Sequence, residues 1–119
     1  MSVGIIVFGH GSRIESANES VRAAARELAR AGDLDHVEPA FLELGQPDLE
    51  GAVARLLAQG VRRIRVIPYF LTLGTHLERD LPRIVRDISR ANNGLEIEVT
   101  APLDGHPGLV AALLARAKD

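Results

Sequence analysis

The 119 residues contain no cysteine and no tryptophan, and only one tyrosine, one methionine and three phenylalanines. Without cysteine there can be no disulfide framework, thiolate zinc cage or cysteine nucleophile, so a metal site has only histidine, carboxylate and backbone oxygen to draw on. The scarcity of rings leaves little for stacking bases. Fourteen Lys+Arg against sixteen Asp+Glu, a formal charge of -2, also provides no broad cationic field for a phosphate backbone. Nucleic acid is therefore not an expected partner. No apolar run approaches the ~20 residues of a membrane span, so no membrane association is expected. The opening Met-Ser-Val-Gly-Ile-Ile-Val-Phe reads as a short apolar strand without the basic flank of a signal peptide. A cytoplasmic protein is the expectation.

What is present is enough for one core: 46% of the residues are hydrophobic and 25% charged, with no linker or low-complexity stretch, so residues 1–119 read as a single domain. Strand-like and helix-like segments alternate along it. Val3 to Phe8 is a nearly continuous apolar run, as in a strand covered on both faces, and Val21, Ala25, Leu28 and Ala29 then recur at helical spacing until Gly32-Asp33. His36 to Glu43 reads as a second strand. Pro39 cannot donate a ladder hydrogen bond and sends that strand to a sheet edge. Leu49, Val53, Leu56 and Leu57 mark a second helix closed by Gly60, and Val61 to Phe70 a central third strand. Leu81, Ile84, Val85 and Ile88 define a third helix, Leu95 to Val99 alternates with Glu96 and Glu98 as an edge strand does, and Pro107 opens a fourth helix. Right-handed crossovers between these strands give an α/β, flavodoxin-like fold, with a four-stranded parallel sheet in the order 2-1-3-4 and helices on both faces.

That order puts a topological switch point between the C-terminal ends of strands one and three, where such sheets bind ligands. Strand one runs into Gly9-His10-Gly11-Ser12-Arg13, and strand three into Leu71-Thr72-Leu73-Gly74-Thr75-His76. His10 and His76 thus stand on the two sides of the crevice. Neutral imidazole is a common ligand for divalent ions and also accepts protons near neutral pH. The glycines beside His10 allow close backbone approach, and the following helix N-terminus favours an anion. Glu43 and Gln46 follow strand two beside this crevice, where Glu43 is either a third ligand, an acid–base partner of His10 or a solvated strand-end acid. Asp80 has two readings. If a helical turn starts near Thr75, Asp80 can hold the second nitrogen of His76; alternatively Pro82 makes Asp80 the cap of the third helix and leaves 71–79 a loop. His106, before Pro107, suits a helix cap as well as a site, and His36 lies at the opposite end of the sheet. Arg13 and Arg79 are candidate anion clamps. The echo between Phe41-Leu42-Glu43-Leu44-Gly45 and Phe70-Leu71-Thr72-Leu73-Gly74 reads as two similar strand exits.

Gly9-His10-Gly11-Ser12-Arg13, Phe41-Leu42-Glu43, and Pro68-Tyr69-Phe70-Leu71 through Gly74, His76 and Asp80-Leu81-Pro82 resemble the short CbiX-type sirohydrochlorin chelatases over nearly the whole chain. The resemblance implies a chelatase-like fold and insertion of a divalent metal, Co²⁺ above all or else Fe²⁺ or Ni²⁺, into sirohydrochlorin for cobalamin or sirohaem. It implies His10 as metal ligand and proton acceptor, His76 as second ligand, and the Leu71–His76 segment with Glu43 and Gln46 against the tetrapyrrole. The ion would be a substrate, with no tightly bound cofactor. Longer members of the family look like two such units fused, which implies a homodimer here. Two rival readings are a phosphohistidine phosphatase using His10, although Gly9 stands where such enzymes usually carry arginine, and a non-catalytic flavodoxin-like module.

Overall fold

The computed structural model describes residues 2–119. Four strands and four helices alternate: β1 (Val3–Gly9), α1 (Glu15–Gly32), β2 (Val37–Phe41), α2 (Leu49–Ala58), β3 (Arg63–Pro68), α3 (Gly74–Ala91), β4 (Glu96–Val99) and α4 (Pro107–Ala117). All neighbours are parallel and the order is β2-β1-β3-β4, as the sequence pattern predicts. Pro39 lies opposite Val7 on a strand paired only with β1, so its missing N–H costs the sheet nothing. β2 and β3 are both shorter than their apolar runs. β2 stops at Phe41, because residues 42–47 bend away, and β3 stops at Pro68, ahead of the loop that begins at Tyr69.

The two faces of the sheet are covered unequally. Ile6, Phe8, Ile64 and Val66 form one buried cluster with Val53 and Leu56 of α2 and Leu77, Leu81 and Val85 of α3. Each such side chain contributes about 1.5–3 kcal/mol relative to exposure. The alternate residues of β1, Ile5 and Val7, are buried on the other face. There α1 packs so closely that a Cβ on Gly9 would lie 2.9 Å from a methyl of Val21, and the Arg22 guanidinium rests 5.4 Å from the Phe41 ring centroid.

α1 covers only β1 and β2 on that face. The other half carries Arg63 and Arg65 opposite Glu96 and Glu98 in register, an exposed ladder with Arg63 3.2 Å from Glu96 and Arg65 bonded to Glu98. An apolar helix gains nothing by settling on four charges. α4 accordingly buries none of its residues, and Val110, Leu113 and Leu114 are 66%, 68% and 54% exposed. The expected helices on both faces are present, with α1 alone on one of them. Among the described residues no helix is long and apolar enough to cross a membrane.

Candidate active site

His10 leaves the end of β1 as an exposed residue, its ring edge-to-face with Phe70 at 6.3 Å between centroids and 67° between planes. Phe70 in turn meets Phe8 edge-on at 6.0 Å, so the imidazole stands on an aromatic stack rooted in the core. The His10 loop is joined by main chain to the loop after β2: Leu42 N–H donates to the Gly9 carbonyl at 3.0 Å and Glu43 N–H to the His10 carbonyl at 3.1 Å. Gly11 has φ of +96° and leaves no room for a side chain beside the Glu43 carbonyl. Only glycine satisfies both conditions.

On the other side, β3 is followed by Leu71 and Thr72, both exposed, and by Leu73 immediately before α3. The Phe70 and Leu71 carbonyls accept from Leu103 and Asp104 N–H at 3.0 and 2.9 Å, which ties this loop to the one after β4. α3 begins at Gly74, so His76 sits in its first turn and Pro82 lies inside the helix. Of the two readings of Asp80, the early helical turn holds and the cap at Asp80 does not. The reason is Leu77: it is buried one turn ahead of Leu81 and extends the apolar stripe of α3 toward its N-terminus. That burial offsets the interior proline, whose lost hydrogen bond costs about 3 kcal/mol. Asp80 nevertheless does not hold His76. The Nδ1 of His76 is 3.3 Å from an Arg79 NH2, and the Asp80 carboxylate faces Arg79 and Arg83 at 3.4 and 3.6 Å.

The two sides meet in one cavity of about 280 Å³. His10 and His76 both line it, together with the expected Leu73, Gly74 and Thr75. Leu42, Leu77, Asp80 and Ile84 complete the wall. Leu42, Leu77 and Ile84 are the lining residues that sequence reasoning missed; the helical spacing of Leu77, Leu81 and Ile84 was the available signal for two of them. Glu43, Gln46, Leu71 and Thr72 do not line this cavity and lie on exposed loops around it. His106 is the cap of α4, its Nδ1 accepting from Gly108 N–H at 2.8 Å, and His36 bonds Gln59 at 2.6 Å, away from the crevice. Arg13 is exposed in the turn before α1.

Chemically, the cavity offers two imidazole rings, one half-buried carboxylate and an apolar wall. Among the described residues no group of three or more His, Asp or Glu is gathered to hold an ion. Two imidazoles leave most of an ion's coordination sphere open, which suits an ion in transit rather than one held as a fixture.

A parallel 2-1-3-4 sheet with two imidazoles lining one cavity at its switch point defines a small flavodoxin-like α/β protein. The CbiX family model matches residues 4–119, and the chain belongs to that family. It is 33% identical over 103 residues to the chloroplastic sirohydrochlorin ferrochelatase of Arabidopsis thaliana, covering 87% of this chain and 46% of that one. It is 28% identical to the sirohydrochlorin cobaltochelatase of Methanopyrus kandleri, covering 98% of this chain and 96% of that one. The crystal structure of the sirohydrochlorin chelatase SirB from Bacillus subtilis subspecies spizizenii in complex with cobalt is similar with a TM-score of 0.85 at 29% identity, over 100% of this chain and 51% of that chain. The chain thus spans about half the length of the Arabidopsis and Bacillus proteins and nearly all of the Methanopyrus one.

Proposed function

We propose that this protein is a chelatase that inserts a divalent metal ion, Co²⁺ first and Fe²⁺ or Ni²⁺ as alternatives, into sirohydrochlorin. The observation that carries the reading is the shared cavity of His10 and His76 in a chain of the CbiX family. In one turnover the tetrapyrrole takes up M²⁺ and gives up two pyrrole N–H protons, so charge balances and the protein must deliver an ion and accept protons nearby. His10 serves as ligand and proton acceptor, and His76 as second ligand. Both hold the ion loosely enough for the macrocycle nitrogens to displace them.

The Leu71–His76 segment lies against the macrocycle, with Glu43 and Gln46 on the facing loop. Substrate carboxylates are drawn to Arg13 and Arg79 and to the N-termini of α1 and α3. Arg79 has a second consequence. An imidazole that binds an ion through one nitrogen carries its proton on the other, so it has no acceptor left for the Arg79 guanidinium. Arg79 therefore turns away from His76 when the ion arrives and is free for a carboxylate. The phosphatase reading lacks support, since no arginine lines the cavity beside His10 and Asp80 would repel a phosphate there.

The same reading includes a homodimer and a cytoplasmic location. A cavity of about 280 Å³ is at the small end for a drug-sized ligand and leaves a macrocycle projecting from its mouth. The unburied apolar α4 and the ionic half-face that gives it no seat argue for cover by a second copy. Relatives about twice this length, matched over half their span, argue the same way. The deciding experiment follows the absorption spectrum of sirohydrochlorin with Co²⁺, Fe²⁺ or Ni²⁺. Insertion faster than the protein-free control is expected, and a rate equal to that control for all three ions overturns the proposal.

A further inference from the structure

Asn18 is the one buried polar side chain among the described residues, 2% exposed, and it belongs to none of the apolar clusters. It lies in the first turn of α1, six residues beyond Ser12, and both its amide oxygen and its amide nitrogen are bonded. Oδ1 accepts from the Ser12 N–H at 2.9 Å, while Nδ2 donates to the Ser12 carbonyl at 2.8 Å and to the Leu44 carbonyl at 2.9 Å. Ser12 is two residues past His10, and Leu44 follows Glu43. One side chain therefore grips the loop that carries His10 and the loop that carries Glu43 and binds both to the rigid start of a helix. Leu44 adopts φ of +57°, an unusual conformation for leucine, in which its carbonyl meets the Asn18 amide.

We infer that Asn18 is a positioning residue for the insertion reaction, holding the His10 loop in register with the Glu43 loop across the mouth of the cavity. The inference rests on the chelatase reading for its catalytic part and on hydrogen bonding alone for its structural part. Asparagine is required chemically, because the three partners are two carbonyls and one N–H, so the side chain must donate twice and accept once. Aspartate offers acceptors only and sets a carboxylate against two carbonyl oxygens. Serine, too short to span both loops, keeps at most one of them. The main-chain bonds from Leu42 and Glu43 join the loops at their bases, whereas Asn18 joins them farther out, at Ser12 two residues past His10 and at Leu44 one residue past Glu43.

The test compares Asn18→Ser and Asn18→Asp with Val53→Ala, a core substitution in α2, at a temperature where circular dichroism shows each variant folded. Hydrogen exchange read by mass spectrometry is expected to show peptides covering 9–14 and 41–46 losing protection in the Asn18 variants, with Val53→Ala leaving them protected. Insertion of Co²⁺ into sirohydrochlorin is expected to lose about tenfold or more in kcat in Asn18→Ser, the scale of a misplaced catalytic group, while Val53→Ala keeps kcat despite a lowered melting temperature. Asn18→Asp should be the worse of the two; if it does not fold, Asn18→Ser decides. Unchanged exchange in both peptides overturns the clamp. Loosened loops with wild-type kcat overturn its catalytic part. A wild-type protein inert toward sirohydrochlorin overturns the functional reading instead, and exchange still decides whether Asn18 couples the loops.

Discussion

The carbonyl oxygen of Glu43 occupies the space beside Gly11 so fully that a Cβ built on the glycine would fall 1.6 Å from it. Backbone meets backbone there, and no side chain can rotate away to relieve the overlap. Gly11→Ala must therefore push the His10 and Glu43 loops apart as well as strain a residue held at φ of +96°. The strain alone is worth about 1–2 kcal/mol, and each kcal/mol moves the melting temperature by roughly 2–8 °C. Calorimetry should show a drop of several degrees, and the spectral assay a loss of most of the insertion rate.

The two histidines should not be equivalent. His10→Ala removes a ligand and a proton acceptor at once, and loss of a general base typically costs 10²–10⁴ in rate. His76→Ala removes only a ligand and should fall short of that loss. Neither ring is buried, so His76→Ala should melt within a few degrees of wild type, and His10→Ala, which also loses its edge-to-face contact with Phe70, should fall somewhat further while remaining folded. Single-turnover insertion of Co²⁺ measures the difference, and equal rates for wild type and His10→Ala would remove His10 from the site.

Arg79 should have opposite effects on the two substrates. In the free protein its guanidinium contacts His76 Nδ1, and an incoming ion must displace it. Arg79→Ala should then tighten binding of Co²⁺ alone by a few-fold, within the 0–1 kcal/mol typical of an exposed contact. The same change should raise the KM for sirohydrochlorin, because a partner for its carboxylates is gone. Titration of Co²⁺ absorption and steady-state kinetics separate the two effects.

Charging the exposed face of α4 should change assembly without changing the fold of the chain. Leu113→Glu with Leu114→Glu touches no buried residue, since α4 has none. Light scattering should find a dimer for the wild type and a monomer for the double variant, with the far-ultraviolet circular dichroism of the rest retained. A monomeric wild type at assay concentration, fully active, would rule out the dimer.

The elements that carried a strong period were legible in the sequence. Strand order followed from Pro39 and from the charge alternation in Glu96-Ile97-Glu98, both of which mark edges. The two cavity histidines were legible because topology alone singles out the residues that follow β1 and β3. Element ends were not. The sequences Phe41-Leu42-Glu43-Leu44-Gly45 and Phe70-Leu71-Thr72-Leu73-Gly74 nearly match, yet Gly45 packs on the Phe41 ring within a bend while Gly74, at φ of +76°, opens a helix. Local pattern cannot separate them, because Leu77, three residues beyond the second segment, decides the outcome by being buried. Asn18 was invisible for a related reason. An asparagine in the first turn of an amphipathic helix looks solvated until the loops that surround it are in place.

Main-chain hydrogen bonds from Leu42 and Glu43, the Gly11 contact and the Asn18 amide together frame the mouth of the cavity, while Leu42, Leu73, Ile84 and the two histidines furnish its lining. Apart from Leu42 and His10, which enter the frame only through their main chains, the frame and the lining share no residue. A descendant of this chain can exchange lining side chains, and with them the ion or ring it prefers, without disturbing what holds the walls apart. On the chelatase reading, changes of metal preference are thereby uncoupled from changes of architecture.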